Sequence, residues 1–351
     1  MIPIPFSMTR ISLRELIRRS ILAMVSLFYG YIVLIFTFFS MIRHRRQYFQ
    51  IRRRDSQPNC LRNPIYGSHS KVKVDDVYLH YVAKGDPKND LLLFIHGFPD
   101  FWFTWRNQLP HFDNFFTVAL DLRGFNESDR LPYLKSYEFD SILEDIKGLI
   151  QVLGKEKAIL IGHDIGGCIV TLFTEKNPTM VDKLILINST PLKFYTEILT
   201  SDWKQFFYSW QIFFFQLHLL PEFVILSKDF AFLENTFRSP IGVPLLNDQE
   251  MEAYKYTFAR PGAVTCALNY FRANIDCLKC TDPSIRIINP TLIIWGEKDS
   301  TLCPKLGSKT ILQRYFSSVE VENIPRIGHY AHIESPQLVN DLISKFISPN
   351  D

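Results

Sequence analysis

The stretch AILIGHDIGG, residues 158–167, is where the fold of this chain can be read. Ala158–Ile161 is a short, wholly apolar run that suits a strand buried on both faces. It leads straight into Gly162-His163-Asp164-Ile165-Gly166-Gly167, and Gly166–Lys176 then has helical spacing. A strand, a glycine-flanked turn and a helix lift the residue between the glycines above the end of a sheet, as in a nucleophile elbow. Here that residue is Asp164. Side chains at the glycine positions would clash with strand and helix across so sharp a turn. The positive end of the helix dipole also helps keep the Asp164 carboxylate ionised.

The same rhythm continues on both sides. Val72–Ala83 reads as an opening hairpin, and Leu91–Ile95, Phe116–Leu120, Leu184–Ile187 and Thr291–Trp295 repeat the apolar strand. Ser141–Leu153 has helical spacing, and Val319–Asn323 is a last short strand. Alternating strands and helices imply an α/β fold, a mostly parallel doubly wound sheet covered on both faces. Residues 192–286 break this rhythm. They are rich in rings (FFYSWQIFFFQ at 206–216) and look helical without strands, so they read as a cap inserted between two sheet strands. A second membrane span in FFYSWQIFFFQLHLL is the competing reading, but Lys204 and Glu222 hold it below the roughly 18 residues a span needs.

Upstream, Ser20–Ile42 runs for 23 residues without a charge. A helix of that length rises about 35 Å, enough to cross a hydrocarbon core of about 30 Å. The stretch is too long for a cleaved leader, and no small-residue cleavage site follows it. The expected order is therefore a basic N-terminal segment (1–19), a transmembrane anchor through the lipid bilayer (20–42) and a basic interfacial linker (43–70). The sheet core follows in two parts (71–191 and 287–351), with the helical cap (192–286) between them. Arg10, Arg14, Arg18 and Arg19 precede the span, and Arg43, Arg45, Arg46, Arg52, Arg53 and Arg54 follow it. That balance favours a single-pass protein of the endoplasmic reticulum with its folded domain in the cytoplasm. Matches to N-x-S/T at Asn126 and Asn188 fall in expected loops at strand ends and argue little for a lumenal domain.

Residues 1–54 hold ten of the 39 basic residues and one of the 36 acidic ones, Glu15, which leaves a mildly acidic folded body. A nucleic-acid protein would concentrate positive charge on that body, so no such partner is expected. The six cysteines show no framework spacing. Cys277 and Cys280 form a lone C-x-x-C without a second pair or a histidine cluster, and free thiols are the reading. With no metal-ligand pattern and no glycine-rich phosphate loop, no cofactor is expected.

The chemistry rests on four motifs in order. Leu91–Ile95 ends in His96-Gly97-Phe98-Pro99, whose loop offers the Phe98 N–H to an oxyanion, with the Ile165 N–H as second donor. Asp299 follows Thr291–Trp295 in Gly296-Glu297-Lys298-Asp299, and His329 sits in Ile327-Gly328-His329-Tyr330. His332 is a rival base without the preceding glycine. Taken together these residues read as nucleophile, orienting acid and base. Serine must lose a proton before it attacks a carbonyl, whereas an ionised aspartate attacks an sp³ carbon directly. The product is an ester of Asp164, which water activated by His329 and Asp299 hydrolyses. Such chemistry fits an electrophilic carbon, in an epoxide or an alkyl halide.

The segments HGFPDFWFTWRNQLP (96–110), DLRGFNESD (121–129), GHDIGG (162–167), WGEKD (295–299) and GHYAHIESP (328–336) resemble the epoxide hydrolases of the α/β-hydrolase superfamily. They are most similar to the membrane-anchored group related to soluble epoxide hydrolase, over about residues 70–347. The resemblance implies Asp164 as nucleophile, the Asp299–His329 pair, Phe98 in the oxyanion loop and a helical cap, while the aromatic cap and the membrane anchor point to an apolar epoxide substrate such as a fatty-acid epoxide. It also implies substrate contacts from His96, Pro99, Trp102 and Phe271. Two departures stand out. The family carries Trp after the nucleophile where this chain has Ile165, which removes the indole N–H that a haloalkane dehalogenase uses to hold its halide. The two cap tyrosines that donate to the epoxide oxygen align with Gln211 and with Phe271 of Leu268-Asn269-Tyr270-Phe271-Arg272. Tyr208 and Tyr270 are the nearby hydroxyls that could replace them, or could serve packing. A non-catalytic lipid-binding homologue is the alternative that this loss motivates.

Overall fold

The computed structural model describes residues 12–276 and 286–348. Arg10 and the Cys277/Cys280 pair lie outside the described residues. Eight strands form one sheet in the order β1-β2-β4-β3-β5-β6-β7-β8. They are β1 (Ser68–Val74), β2 (Val77–Lys84), β3 (Leu91–Ile95), β4 (Phe116–Leu120), β5 (Ala158–His163), β6 (Val181–Ile187), β7 (Thr291–Gly296) and β8 (Val319–Ile324). β2 runs antiparallel to β1 and β4, and every pairing from β4 to β8 is parallel. Strands β3, β4, β5 and β7 are buried at every position. That is why they read as unbroken apolar runs: helices cover both faces. The fold is the expected one.

The chain opens with a helix longer than the apolar run, α1 (Leu13–Tyr48). Ser12 caps it by accepting from the Glu15 N–H, and Glu15 pairs with Arg18 and Arg19. Arginine is a good helix former, so the charged flanks extend the helix at both ends. α1 bends at Arg45 (φ 37°), and it is the one helix among the described residues long and apolar enough to cross a membrane. The following segment is not a loose linker. Arg54 donates to Asp229 at 2.7 and 2.8 Å and to Glu252 at 2.7 Å, fastening it to the cap.

Within the sheet region, α2 (Phe139–Val152) and α3 (Ile165–Lys176) follow β4 and β5. Between β6 and β7 the chain forms α4 (Leu192–Ser201), α5 (Trp203–Tyr208), α6 (Trp210–Phe214), α7 (Leu220–Thr236), α8 (Asp248–Phe258) and α9 (Ala263–Asn274). The aromatic stretch 206–216 thus splits into the short helices α5 and α6, too short to cross a bilayer. α7 breaks at Ser227–Phe230, and this break presents Asp229 to Arg54.

Candidate active site

Asp164 stands at the turn between β5 and α3 with φ 54° and ψ −127°. An L-residue in this region is strained and needs surrounding structure to hold it. Part of that hold is Ser189, whose hydroxyl donates to the Asp164 carbonyl at 2.6 Å. The turn packs so tightly that a Cβ on Gly166 would lie 2.3 Å from the His96 carbonyl oxygen. A glycine is therefore required there.

The carboxylate is held on both sides. Its Oδ1 accepts from the Phe98 N–H at 3.1 Å, and the Ile165 N–H adds a smaller pull that favours the ionised carboxylate. Its Oδ2 lies 3.3 Å from His329 Nε2. Burial pushes the Asp164 carboxyl up, but the hydrogen bond and charge of His329 outweigh it and carry the group below the usual carboxylate range. His329 Nδ1 donates to Asp299 Oδ2 at 2.7 Å. Asp299 in turn accepts from Asn188 Nδ2 at 2.8 Å and from the Thr301 and Leu302 N–H groups at 2.7 and 2.9 Å. Burial pulls the imidazole of His329 down, yet Asp299 and then Asp164 override it and push it up to about 10. In the resting site His329 is thus an imidazolium between two carboxylates.

A cavity of about 980 Å³ opens over this group. Phe98, Pro99, Ile165, Tyr208, Gln211 and Phe271 are among its walls. Phe98 meets Phe215 and Phe271 edge-on at 5.4 Å each, so the space above Asp164 is largely aromatic. Cys168, one turn along α3, also borders it, with its thiol pushed up to about 12 mainly by burial. It is an inert thiol rather than a nucleophile.

Three sequence expectations need correction. Tyr270 borders the cavity but is buried, and its hydroxyl donates to the Arg123 carbonyl at 2.9 Å, so its proton is committed to the backbone rather than aimed at a substrate. His96 is fully buried; its Nδ1 donates to the Gly97 carbonyl at 2.8 Å and its Nε2 accepts from the Leu122 N–H at 3.1 Å. It shapes the loop at residues 97–99 and does not reach the cavity. Trp102 packs edge-on against His69 at 5.1 Å and Tyr66, away from the cavity walls. The rival base, His332, is buried against Thr104 at 2.7 Å, and its pKa lies well below the ordinary value because of burial.

Several supporting residues escaped the sequence reading. Asn188, in the left-handed region at φ 42°, orients Asp299 and accepts from the Gly296 N–H at 3.1 Å. Its amide is buried, as is that of Asn126, which donates to Asp121. His163 donates through Nε2 to the His329 carbonyl at 3.0 Å. Among the described residues, Asp100, His163 and His332 form the one trio with ligand atoms close enough for a metal, within 4.8 Å of one another. Tyr254 donates to Asp100 at 2.7 Å, so this trio also braces the loop that carries His329.

The family model for the alpha/beta hydrolase fold matches residues 90–336. The chain is 36% identical to epoxide hydrolase 4 of Mus musculus over 338 residues, covering 92% of this chain and 93% of that one. It is 37% identical to epoxide hydrolase 1 of Caenorhabditis elegans over 311 residues, covering 86% and 75% of the two. Among solved structures, a Bacillus megaterium epoxide hydrolase in complex with an inhibitor superposes with a TM-score of 0.72 at 31% identity, covering 79% of this chain and 99% of that chain.

Proposed function

The chain belongs to the α/β-hydrolase fold family, among its epoxide hydrolases, and on that premise we propose that it hydrolyses apolar epoxides through a covalent ester of Asp164. The observation that carries this reading is one carboxylate held between the Phe98 N–H at 3.1 Å and His329 Nε2 at 3.3 Å beneath an aromatic cavity.

Asp164 Oδ attacks a ring carbon, a C–O bond forms, and the ring C–O bond breaks to leave an alkoxide. On the cap side, the Tyr208 hydroxyl can pass a proton to that oxygen, while the Gln211 amide can only hydrogen-bond to it. Esterification removes the negative charge that faced His329. Its pKa falls, its proton restores the Tyr208 phenolate to the phenol, and the neutral imidazole becomes the base for the second half-reaction. Water deprotonated by His329 attacks the Asp164 carbonyl, and the Phe98 and Ile165 N–H groups take the developing oxyanion. Collapse frees the vicinal diol and restores the Asp164 carboxylate. The cavity's rings favour a hydrophobic substrate, and the apolar α1 carries the enzyme to a membrane.

The test is to trap the ester. In His329→Gln the first step survives and the second fails, so incubation with a fatty-acid epoxide should add the mass of that epoxide to the peptide containing Asp164. The alternative, a non-catalytic lipid-binding homologue, draws on Phe271 and Gln211 standing where the family has tyrosines. It prevails if wild type makes no diol from a broad epoxide panel and the variant carries no adduct.

A further inference from the structure

α1 lies along the cap rather than projecting from it. Tyr29 stacks on Phe213 of α6 (6.1 Å, 7°). A Cβ on Gly30 would come within 2.4 Å of Leu217 Cδ1, so a glycine permits the close approach. Both ends are held by charge: Arg18 pairs with Asp276, just beyond α9, and Arg54 with Asp229 and Glu252. Arg18 and Arg45 stand about 40 Å apart along a helix rising 1.5 Å per residue. If α1 crossed a bilayer in this position, the cap and its acids would have to cross a hydrocarbon core of about 30 Å with it. Charged groups in that core are expensive. A helix lying in the plane of one leaflet avoids this, with its cap-facing side dry and its outward side, including Met24, Leu27 and Tyr31, among acyl chains.

The same helix closes the catalytic cavity. Val33, Phe36, Thr37 and Ser40, spaced i, i+3, i+4 and i+7 and so on one face, line the cavity that also holds Asp164 and His329. Across from them stand residues of α7, including Val224, Ala231 and Phe232. Phe36 borders the cavity and is yet 72% exposed, which places it at a mouth between α1 and the outside.

We propose that α1 is an in-plane membrane helix whose Val33–Ser40 face binds the apolar tail of the substrate, so that chain-bearing epoxides pass sideways from one leaflet into the cavity. This replaces the crossing anchor expected for residues 20–42. It rests on the epoxide hydrolase reading only for the chemistry at the substrate's head.

The experiment uses the full chain in phosphatidylcholine vesicles with a fatty acid bearing a diazirine near its methyl end. Photolysis should label the peptide containing Val33–Ser40; labelling confined to outward positions such as Met24 overturns the proposal. An N-terminal tag should be cleaved by protease on the same side as the folded domain, and a protected tag overturns the in-plane geometry. In kinetics, Thr37→Trp should lower the ratio of kcat/KM for a C18 epoxide to that for styrene oxide roughly tenfold. Met24→Trp, on the outward face, should leave that ratio unchanged, and an equal effect of the two overturns the tail site. Photolabelling requires no turnover, so an absence of diol from wild type sinks the chemistry while the labelling still reads the helix.

Discussion

At the scale of single residues, the proposed chemistry separates groups that touch the reaction from groups that hold them. Asp164, His329 and the Phe98 N–H surround one carboxylate, whereas Asn188, His163 and Ser189 act on their neighbours. Phe271 and Tyr270 both border the cavity, but Phe271 has no hydroxyl and that of Tyr270 donates to the Arg123 carbonyl, so α9 offers no free hydroxyl at that donor position. Restoring one tests whether proton donation limits the rate. Phe271→Tyr or Gln211→Tyr should raise the single-turnover alkylation rate, with a ceiling near the 10²–10⁴-fold that general acids typically supply. Rapid-quench measurement of ester formation reads this directly, and an unchanged rate means the opened oxygen already has its donor. The charge pair sets a pH signature. The folded pKa of His329, about 10, lies above its ordinary 6.5, so the stability it contributes is full below pH 6.5 and is lost as pH rises through about 10. Asp164 lies below 3.8, so its share is present above that value and is lost as pH falls further. Urea unfolding of wild type should weaken across the alkaline window, and His329→Gln should flatten that decline.

At the scale of elements, the elbow, the break in α7 and the docked α1 each join local strain to a distant partner. α7 departs from helical geometry where Lys228, Asp229 and Phe230 take φ of 52°, 54° and 66°. Three such residues in a row are costly without compensation. Arg54 supplies it from outside the element, with its side chain 5% exposed and hydrogen-bonded to Asp229 and Glu252. Removing Arg54 takes the nearest cation from both acids and leaves Asp229 with the more distant Lys255 and Arg52 side chains, at 3.7 and 3.8 Å. Arg54→Ala should therefore lower Tm by several degrees and expose the 227–230 segment to proteolysis first. A drop in Tm with cleavage elsewhere would show that the break stands without Arg54.

At the scale of the whole molecule, a ring chain runs from α1 to the cap surface: Tyr29 to Phe213, Phe213 to Phe206 at 5.2 Å, and Phe206 to Trp203 at 5.8 Å. Trp203 is 76% exposed and Leu219, two residues past the Leu217 that meets Gly30, is 81% exposed. Large apolar side chains grouped in this way on the outside mark an interaction surface. Brominated lipids should quench the fluorescence of Trp203, while Trp102, Trp105 and Trp295 are buried in the domain and remain shielded. Quenching that persists undiminished in Trp203→Phe would place the membrane contact elsewhere.

The strands, the elbow, the order of the motifs and the presence of one long apolar helix were all legible in the amino-acid sequence. Each depends on local periodicity, on turn chemistry or on the backbone freedom of a few glycines. What only the tertiary structure decided is which groups meet. The apolarity of residues 20–42 says that the helix avoids water but not which solvent meets each face, and packing against α6 and α7 turned part of it toward the cavity. A histidine or tyrosine looks alike in sequence whether it faces a substrate or the core. His96 and Trp102 were read as contacts with substrate and Tyr270 as a proton donor or a packing residue; all three are held by the scaffold, because the partners that satisfy or enclose them come from distant segments.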